Sequence, residues 1–295
     1  MIKKLLSSFS SFVFSGIILG LLTGGYPGST SEIAMGALII AMTFSLMPIS
    51  FTSFSFQKGS RNITVSLLLN FGLLSSLILL LSSLFPDEIA KGFVVMAAVP
   101  TAIVVLPLTT LLKGDVKYTL LSLSSIYLAS FILTPLFILV FLQKEVNAMT
   151  LFRDILLLIA FPLVLSRIIR RIDIPSWLPR TVANICFFLL VFDVIGKNRM
   201  FLFHNIETVS LISLALIVRT FGTGMIVRWL GIRKGMTKEE IIPFSLFASF
   251  KNEGMAILLS LSLFPSDVAY TAAVPAVVGI ILELIWACCL EAKVM

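Results

Sequence analysis

The chain has 295 residues, of which 58% are hydrophobic and only 13% charged, and its mean hydropathy is +1.09. Soluble domains carry about 25% charged residues, so this composition excludes an ordinary soluble protein and predicts one embedded in a lipid bilayer. The net charge of +7 is spread in short clusters between apolar runs, which favours membrane topology over nucleic-acid binding.

Residues suited to catalysis are scarce. The single histidine, His204, leaves almost no imidazole for metal binding or acid–base chemistry. The three cysteines, Cys186, Cys288 and Cys289, lie in apolar runs, which predicts small buried hydrophobic side chains. No HExxH, Gly-x-Ser-x-Gly or nucleotide-binding glycine-rich loop is present. We therefore expect no enzyme, no cofactor and no metal site.

Ten apolar runs follow one another along the chain, each near the roughly 20 residues that cross the hydrocarbon as a helix. The first resembles a signal peptide, but no A-x-A cleavage site follows, so we predict a membrane helix. In the first half, the predicted spans are Leu5 to Leu22, Ile33 to Phe51, Ile63 to Leu84, Ile89 to Leu112 and Val116 to Leu142. In the second half, they are Leu151 to Leu165, Val182 to Ile195, Ile206 to Val227, Ile241 to Leu263 and Val268 to Leu290.

Lysine and arginine predict the orientation of these spans. With the N-terminus in the cytoplasm, fifteen of the 22 basic residues fall on the inner side and five on the outer, while Arg219 and Lys251 fall within spans. Cytoplasmic loops collect Lys and Arg. The sequence therefore predicts a multi-pass protein of the plasma (inner) membrane with both termini in the cytoplasm.

Five spans in each half indicate a duplication, with residues 1–145 and 146–295 as two repeats of opposite orientation. The fourth and ninth spans both start at a Glu-Ile pair and are both interrupted twelve residues after the Glu, at Pro100 and at Asn252. Interrupted backbone at mid-membrane depth lines protein cavities, and paired interruptions mark the binding sites of transporters.

The ninth span carries the stronger indication of a site, because Lys251, Asn252 and Glu253 follow one another there. A lysine near the membrane centre costs at least about 2.5–3.5 kcal/mol, which predicts a functional role for Lys251. Pro100 alone also fits a simple kink. Asn70, in the third span, either reaches the crossing of the interrupted helices or bonds a neighbouring helix.

Two further acidic residues lie inside spans. Asp193 and Glu283 fit a proton relay or a partner for Lys251. The structural alternatives are that Asp193 lies near the membrane interface and that Glu283 pairs with Arg219.

Two segments of the sequence, in the fourth and ninth predicted spans, resemble those of a known family. The segment AAVPTAIVVLPLTTLLKGD, from Ala97 to Asp115, resembles the fourth-span signature of the bile acid:sodium symporter family, where Pro-Gly-Gly is followed thirteen residues later by Lys-Gly-Asp. The segment FASFKNEGMA, from Phe247 to Ala256, is similar to the ninth-span stretch of that family. Further matches are Asn252, Gly254, the pair Asn70-Phe71 and Asn198.

The resemblance implies an all-α membrane protein of ten transmembrane helices, a 5+5 inverted-topology repeat in which the broken helices 4 and 9 cross. It also implies a core domain of spans 3–5 and 8–10 and a panel domain of spans 1–2 and 6–7, with substrate bound between them. The family carries organic anions, usually together with sodium.

Departures from the family pattern are concentrated at its sodium ligands. Val105-Leu106 stands where the family has a Ser-Asn pair, Phe247 stands for a sodium-binding Glu, and Lys251 stands for a Gln. The resemblance therefore implies a divergent member that lacks most sodium ligands.

We accordingly predict a secondary active transporter or uniporter of an organic anion, independent of sodium, in which Lys251 replaces a sodium ion. The alternatives are a proton-coupled cation exchanger that uses Lys251 with a carboxylate such as Glu253, and a non-transporting membrane receptor. The expected partners are the anion and the bilayer, without nucleic acid. The predicted substrate-binding residues are Asn70, Pro100, Thr101, Ala102, Lys251, Asn252 and Glu253.

Overall fold

The structure, a computed structural model, describes residues 9–28, 31–47, 63–143, 145–175 and 177–294, and all of its regular elements within these ranges are helices. We number the helices in chain order. In the first half they are α1 (Phe9–Thr23), α2 (Ser31–Leu46), α3 (Ile63–Ser82), α4 (Asp87–Ala98), α5 (Val105–Leu111) and α6 (Val116–Phe141). In the second half they are α7 (Ala148–Ile169), α8 (Trp177–His204), α9 (Ile206–Arg233), α10 (Lys238–Phe247), α11 (Glu253–Leu263) and α12 (Ser266–Val294).

Within the described residues, six helices are long and apolar enough to cross a membrane by themselves: α3, α6, α7, α8, α9 and α12, each with an apolar stretch of 20 to 28 residues. The described parts of α1 and α2 are shorter apolar helices. The fourth and ninth predicted spans each consist of two short helices, α4 with α5 and α10 with α11. Several sequence predictions lie outside the described residues, namely Leu5, Phe51 and the basic residues Lys3, Lys4, Lys58, Arg61 and Lys144.

The helices at the sixth and seventh predicted spans, α7 and α8, are longer than the sequence predicted. The predicted seventh span ends at Ile195 because charged residues follow, but α8 continues to His204. The helix continues because its polar side chains find partners. Lys197 Nζ donates to the carbonyls of Tyr26 and Gly28, both at 2.7 Å, and Asn198 Nδ2 donates to Val194 O at 2.9 Å.

The helices pack in two sets, which meet along α2, α7, α8, α11 and α12. In the first set, α8 packs on α1 and α2, and α7 packs on α2. In the second set, α12 packs on α4, α9 and α11, while α6 contacts α4 and α5. The contact between α4 and α12 depends on Gly92, where an added Cβ would lie 1.9 Å from Ala272 O.

Three of the long helices contain a π-helical turn, at Leu68–Leu74 in α3, Leu156–Ala160 in α7 and Val218–Gly222 in α9. Such turns are rare and occur often at functional sites. The turn in α3 carries Asn70 and the turn in α9 carries Arg219, and both side chains are buried. These two turns therefore direct polar groups into the interior of the second set.

Candidate functional site

The first interruption lies between α4 and α5. Val99 is extended, with ψ of 153°, and Pro100 follows it. A residue before proline disfavours the helical region, and proline itself has no N–H to donate, so α4 ends at Ala98 and the helix resumes only at Val105.

The carbonyl groups from Ala97 to Thr101 all have hydrogen-bond partners, as buried backbone favours. Hydroxyl groups from α3 and α6 supply three of the donors. The carbonyls of Ala97, Ala98 and Thr101 accept from Ser75 Oγ at 2.6 Å, Thr134 Oγ1 at 2.8 Å and Tyr127 OH at 3.2 Å, in that order.

The second interruption lies between α10 and α11, and it contacts the first directly. Asn252 caps α11, because its Oδ1 accepts from Met255 N at 3.1 Å. Its backbone N–H donates to Pro100 O at 2.8 Å, and its Nδ2 donates to Tyr127 OH at 3.1 Å. The two interrupted helices are therefore joined at a shared point, the crossing, by Asn252, Pro100 and Tyr127.

Lys251 lies inside the crossing and is fully buried. Its Nζ donates to Ser75 Oγ at 2.9 Å and to the carbonyls of Ala97 at 3.0 Å and Val99 at 2.9 Å, and Asn70 Oδ1 lies 3.4 Å away as a longer fourth contact. The ring of Phe71 lies 4.9 Å from the same nitrogen. Among the described residues, no carboxylate is within salt-bridge distance of this ammonium group, so neutral oxygens alone surround it.

Asn70 also ties the crossing to the end of α10. Its Nδ2 donates to the carbonyls of Phe247 and Phe250, each at 3.3 Å. Asn70 therefore both reaches the crossing and bonds a neighbouring segment, because its oxygen faces Lys251 while its amide N–H groups bond the end of α10.

A cluster of charged side chains lies beside the crossing. Arg219 pairs with Glu283 at 2.8 Å and with Glu253, and all three side chains are buried. Glu283 Oε1 also accepts from the backbone N–H of Lys251 at 2.9 Å. With Lys251 and Arg219 charged, the two carboxylates balance the two cations, so the group is neutral as a whole.

Three polar atoms in or beside the crossing are buried without a hydrogen-bond partner among the described residues: Thr101 Oγ1, Arg219 Nε and Glu253 Oε2. Buried polar groups are nearly always bonded, and exceptions at a site are candidates for contacts made in another state. Because Thr101, Lys251, Asn252 and Glu253 are at most 6% exposed, the crossing is closed to solute in this conformation.

A cavity of about 350 Å³ lies between the two helix sets, on the side of α11 away from its N-terminus. Its walls come from α2, α7 and α11 and are mostly apolar, with charged side chains from Glu32 and Arg153. Arg153 pairs with the buried Asp154 at 3.0 Å, while 61% of its own side chain stays exposed.

The remaining predicted residues lie elsewhere or play smaller parts. Ala102 is partly buried, and its carbonyl accepts from Val105 N at 3.2 Å as α5 begins. Asp193 does not partner Lys251 here; its Oδ1 accepts from Tyr26 N at 3.2 Å. Burial and the nearby Asp193 carboxylate raise the pKa of the Tyr26 phenol above its usual value.

The side chains in or beside the crossing that were not predicted as part of the site include Ser75, Tyr127 and Arg219. Arg219 gave a usable signal, because an arginine inside an apolar span is rare and marks a functional or paired position. Ser75 and Tyr127 gave none, because hydroxyl side chains are common in the apolar spans of this chain.

The model of the SBF-like CPA transporter family matches residues 27–294 of the sequence. The chain belongs to this family. No curated protein matches the sequence. As a member of the SBF-like CPA transporter family with several long apolar helices, the protein is a multi-pass membrane protein. Members of the family are transporters rather than enzymes, and the resemblance to bile acid:sodium symporters is confirmed.

Proposed function

We propose that the protein is a secondary active transporter or uniporter of an organic anion, that it works without sodium, and that the Lys251 ammonium takes the place of a sodium ion. The observation that carries this proposal is the set of oxygens around Lys251 Nζ. Backbone carbonyls, a serine hydroxyl and an amide oxygen are the neutral ligands that hard cations take in proteins.

The ammonium also holds the crossing together as a bound ion would. Lys251 itself lies just before α11. Its ammonium bonds Ser75 of α3 and the carbonyls of Ala97 and Val99 at the end of α4, so it links these three segments. A free cation about 4 Å away would be repelled by about 4 kcal/mol at an effective dielectric near 20, which suffices to empty a weak cation site.

An anionic substrate fits the surroundings of the crossing. The N-terminus of α11 begins there, and the dipole of a helix favours negative charge at its N-terminus. The 350 Å³ cavity beside α11 has mostly apolar walls, which suit the apolar body of an organic substrate, while its charged side chains, Glu32 and Arg153, are of opposite sign. We propose that substrate reaches Thr101 and Asn252 from this cavity when the two helix sets separate.

We further propose the ten-span architecture with an inverted repeat. Support comes from equivalent parts in the two halves. In α3, the π turn carrying Asn70 is followed by Ser75, whose hydroxyl bonds Ala97 O near the end of α4. In α9, the π turn carrying Arg219 is followed by Thr223, whose hydroxyl bonds Ala248 O at 2.6 Å at the end of α10.

The division into a panel domain (spans 1–2 and 6–7) and a core domain (spans 3–5 and 8–10) is also part of the proposal. The packing of α1, α2, α7 and α8 on one another supports it. Both interruptions lie between helices of the second set. The residues around Lys251 belong to those helices or to the first interruption.

The proposal is tested by uptake into proteoliposomes, in sodium and in choline buffers and with and without a pH gradient. We expect the wild-type protein to transport an organic anion equally well in both buffers. In Lys251→Gln, the oxygens lose their cation, and we expect uptake to fall in choline and to recover at least partly with sodium. Wild-type uptake that requires sodium would refute the proposal.

The matched control is Lys197→Gln, because Lys197 Nζ also donates to two backbone carbonyls but lies in α8, away from the crossing. Its uptake should show no sodium dependence. The pH-gradient arm tests the second candidate function, a proton-coupled cation exchanger, which the unpartnered Glu253 Oε2 favours. Cation-driven proton movement without anion uptake would replace the first candidate with the second.

A further inference from the structure

A second cavity, of about 310 Å³, lies where α9 ends and α10 begins, away from the crossing. Four apolar side chains and two basic ones form its walls. The lining residues are Arg228, Ile232, Met236, Lys238, Ile241 and Ile242. Gly231 allows the close approach of the two helices beside the cavity, because an added Cβ there would lie 2.7 Å from Ile241 Cγ1.

The two basic side chains of this cavity have no ion-pair partner among the described residues. Arg228 is nevertheless partly buried, and Lys238 lies in the first turn of α10, where a positive charge is opposed by the helix dipole. Of the carboxylates next to Lys238, Glu240 is used in the capping box with Thr237, and neither Glu239 nor Glu240 lines the cavity. Two positive charges therefore line the cavity, and no carboxylate does.

The outer face of α9 next to the cavity is apolar and exposed. Ile226 is 55% exposed and Ile232 is 68% exposed, and Trp229, half exposed, has the Arg233 guanidinium 3.8 Å from the centroid of its ring. Tryptophan together with arginine at the end of a membrane helix is typical of the headgroup level of a bilayer. The cavity is thus placed at the boundary between hydrocarbon and headgroups.

We propose that this cavity binds an anionic phospholipid, with its phosphate between Arg228 and Lys238 and an acyl chain along the exposed apolar face of α9. Basic pockets between membrane helices are suited to lipid phosphates. A free phosphate would gain nothing from the apolar walls, whereas a lipid uses both parts of the surface. The bound lipid bridges α9 to α10, which is the first half of the interrupted helix that leads to Lys251.

The test uses native mass spectrometry of the purified full-length protein with phosphatidylglycerol, phosphatidylcholine or inorganic phosphate. We expect phosphatidylglycerol to bind and the other two to bind far more weakly. In the double variant Arg228→Gln with Lys238→Gln, affinity for phosphatidylglycerol should fall about thirtyfold, the equivalent of about 1 kcal/mol for each charge.

The control is Lys117→Gln with Arg180→Gln, since both residues are exposed and basic and neither lines the cavity. It should bind phosphatidylglycerol as the wild type does. Met236→Trp keeps both charges and fills the cavity, and it should also lose binding, so it carries the test if the double variant does not fold. Unchanged lipid binding in Met236→Trp or in a folded double variant would overturn the proposal, as would equal binding of inorganic phosphate.

Discussion

Arg219, Lys251, Glu253 and Glu283 are four ionisable side chains buried in one region of a membrane protein. Burial of one charge is costly unless it is paired and hydrogen-bonded. Arg219 pairs with both carboxylates, Lys251 supplies the second positive charge, and Glu283 also accepts from the Lys251 backbone N–H. Loss of one member therefore leaves the charge of the others unbalanced.

Arg219→Gln should therefore be strongly destabilising. It leaves two carboxylates buried without their cation, and removing one partner of a buried pair costs about 3–5 kcal/mol. We expect a clear fall in the melting temperature of the detergent-solubilised protein. Adding Glu283→Gln to the same chain should recover part of the loss, because only one carboxylate then remains.

The control for these two variants is Arg171→Gln, since Arg171 is exposed near the end of α7. It should melt close to the wild type. An Arg219→Gln variant as stable as this control would show that the cluster does not contribute to the folded state.

At the scale of single residues, the sequence predicted the polar groups that are out of place in a span. Asn70, Lys251 and Asn252 were singled out for that reason, and the structure brings them together. Ser75 and Tyr127 were not predicted, because most hydroxyls in these helices bond their own backbone, as Ser124 does to Leu120 O at 2.7 Å.

At the scale of elements, each interruption is held by side chains of other helices. The carbonyls freed at the end of α4 are bonded by α3, α6 and Lys251, and those at the end of α10 by Asn70 and Thr223. The interruptions were predictable because proline and a Lys-Asn-Glu run break a helix locally. Their partners were not, because they come from distant parts of the chain.

α4, the first half of the first interrupted helix, packs closely on α12. Gly92 allows this close approach because it has no side chain. Gly92→Ala places a methyl group 1.9 Å from the Ala272 carbonyl oxygen, which backbone movement must relieve. Overpacking of this kind costs about 1–3 kcal/mol. We expect the melting temperature to fall in the detergent-solubilised protein.

Gly36→Ala is the matched control, because no described atom lies within 4 Å of the Cβ it would add. Alanine stabilises a helix interior by about 0.5–1 kcal/mol relative to glycine, so this variant should melt at or above the wild type. Equal melting of the two alanine variants would contradict the close approach of α4 to α12.

At the scale of the whole molecule, the basic residues predict which ends of the helices face the cytoplasm. Cysteine at Lys234, in the turn after α9, should react with a membrane-impermeant thiol reagent only from the cytoplasmic side. Cysteine at Gln143, after α6, should react only from outside. The exposed Cys288 is replaced by serine first, so that it does not add to the signal.

Labelling of both positions from the same side would refute the orientation and the ten-span count together, because an odd number of crossings separates the two positions. Position 117, in the first turn of α6, is the control, since it should share the side of position 234. The whole-molecule arrangement stays a prediction. Composition alone indicated only a membrane protein, whereas the span count, the repeat and the orientation were predicted from the apolar runs, the paired interruptions and the distribution of lysine and arginine.

The ammonium of Lys251 is covalently part of the chain, and this has a consequence for the energetics of transport under the proposed function. Because this positive charge is never released, it moves with the protein in both directions of the transport cycle. A sodium gradient therefore supplies no driving force. In the uniporter form of the proposal, an anion would then follow its own gradient and the membrane potential, which at 100 mV contributes about 2.3 kcal/mol per charge, about a fiftyfold concentration ratio. Across a membrane that is negative on its cytoplasmic side, such a carrier expels anions from the cell, whereas one with a releasable sodium ion would accumulate them.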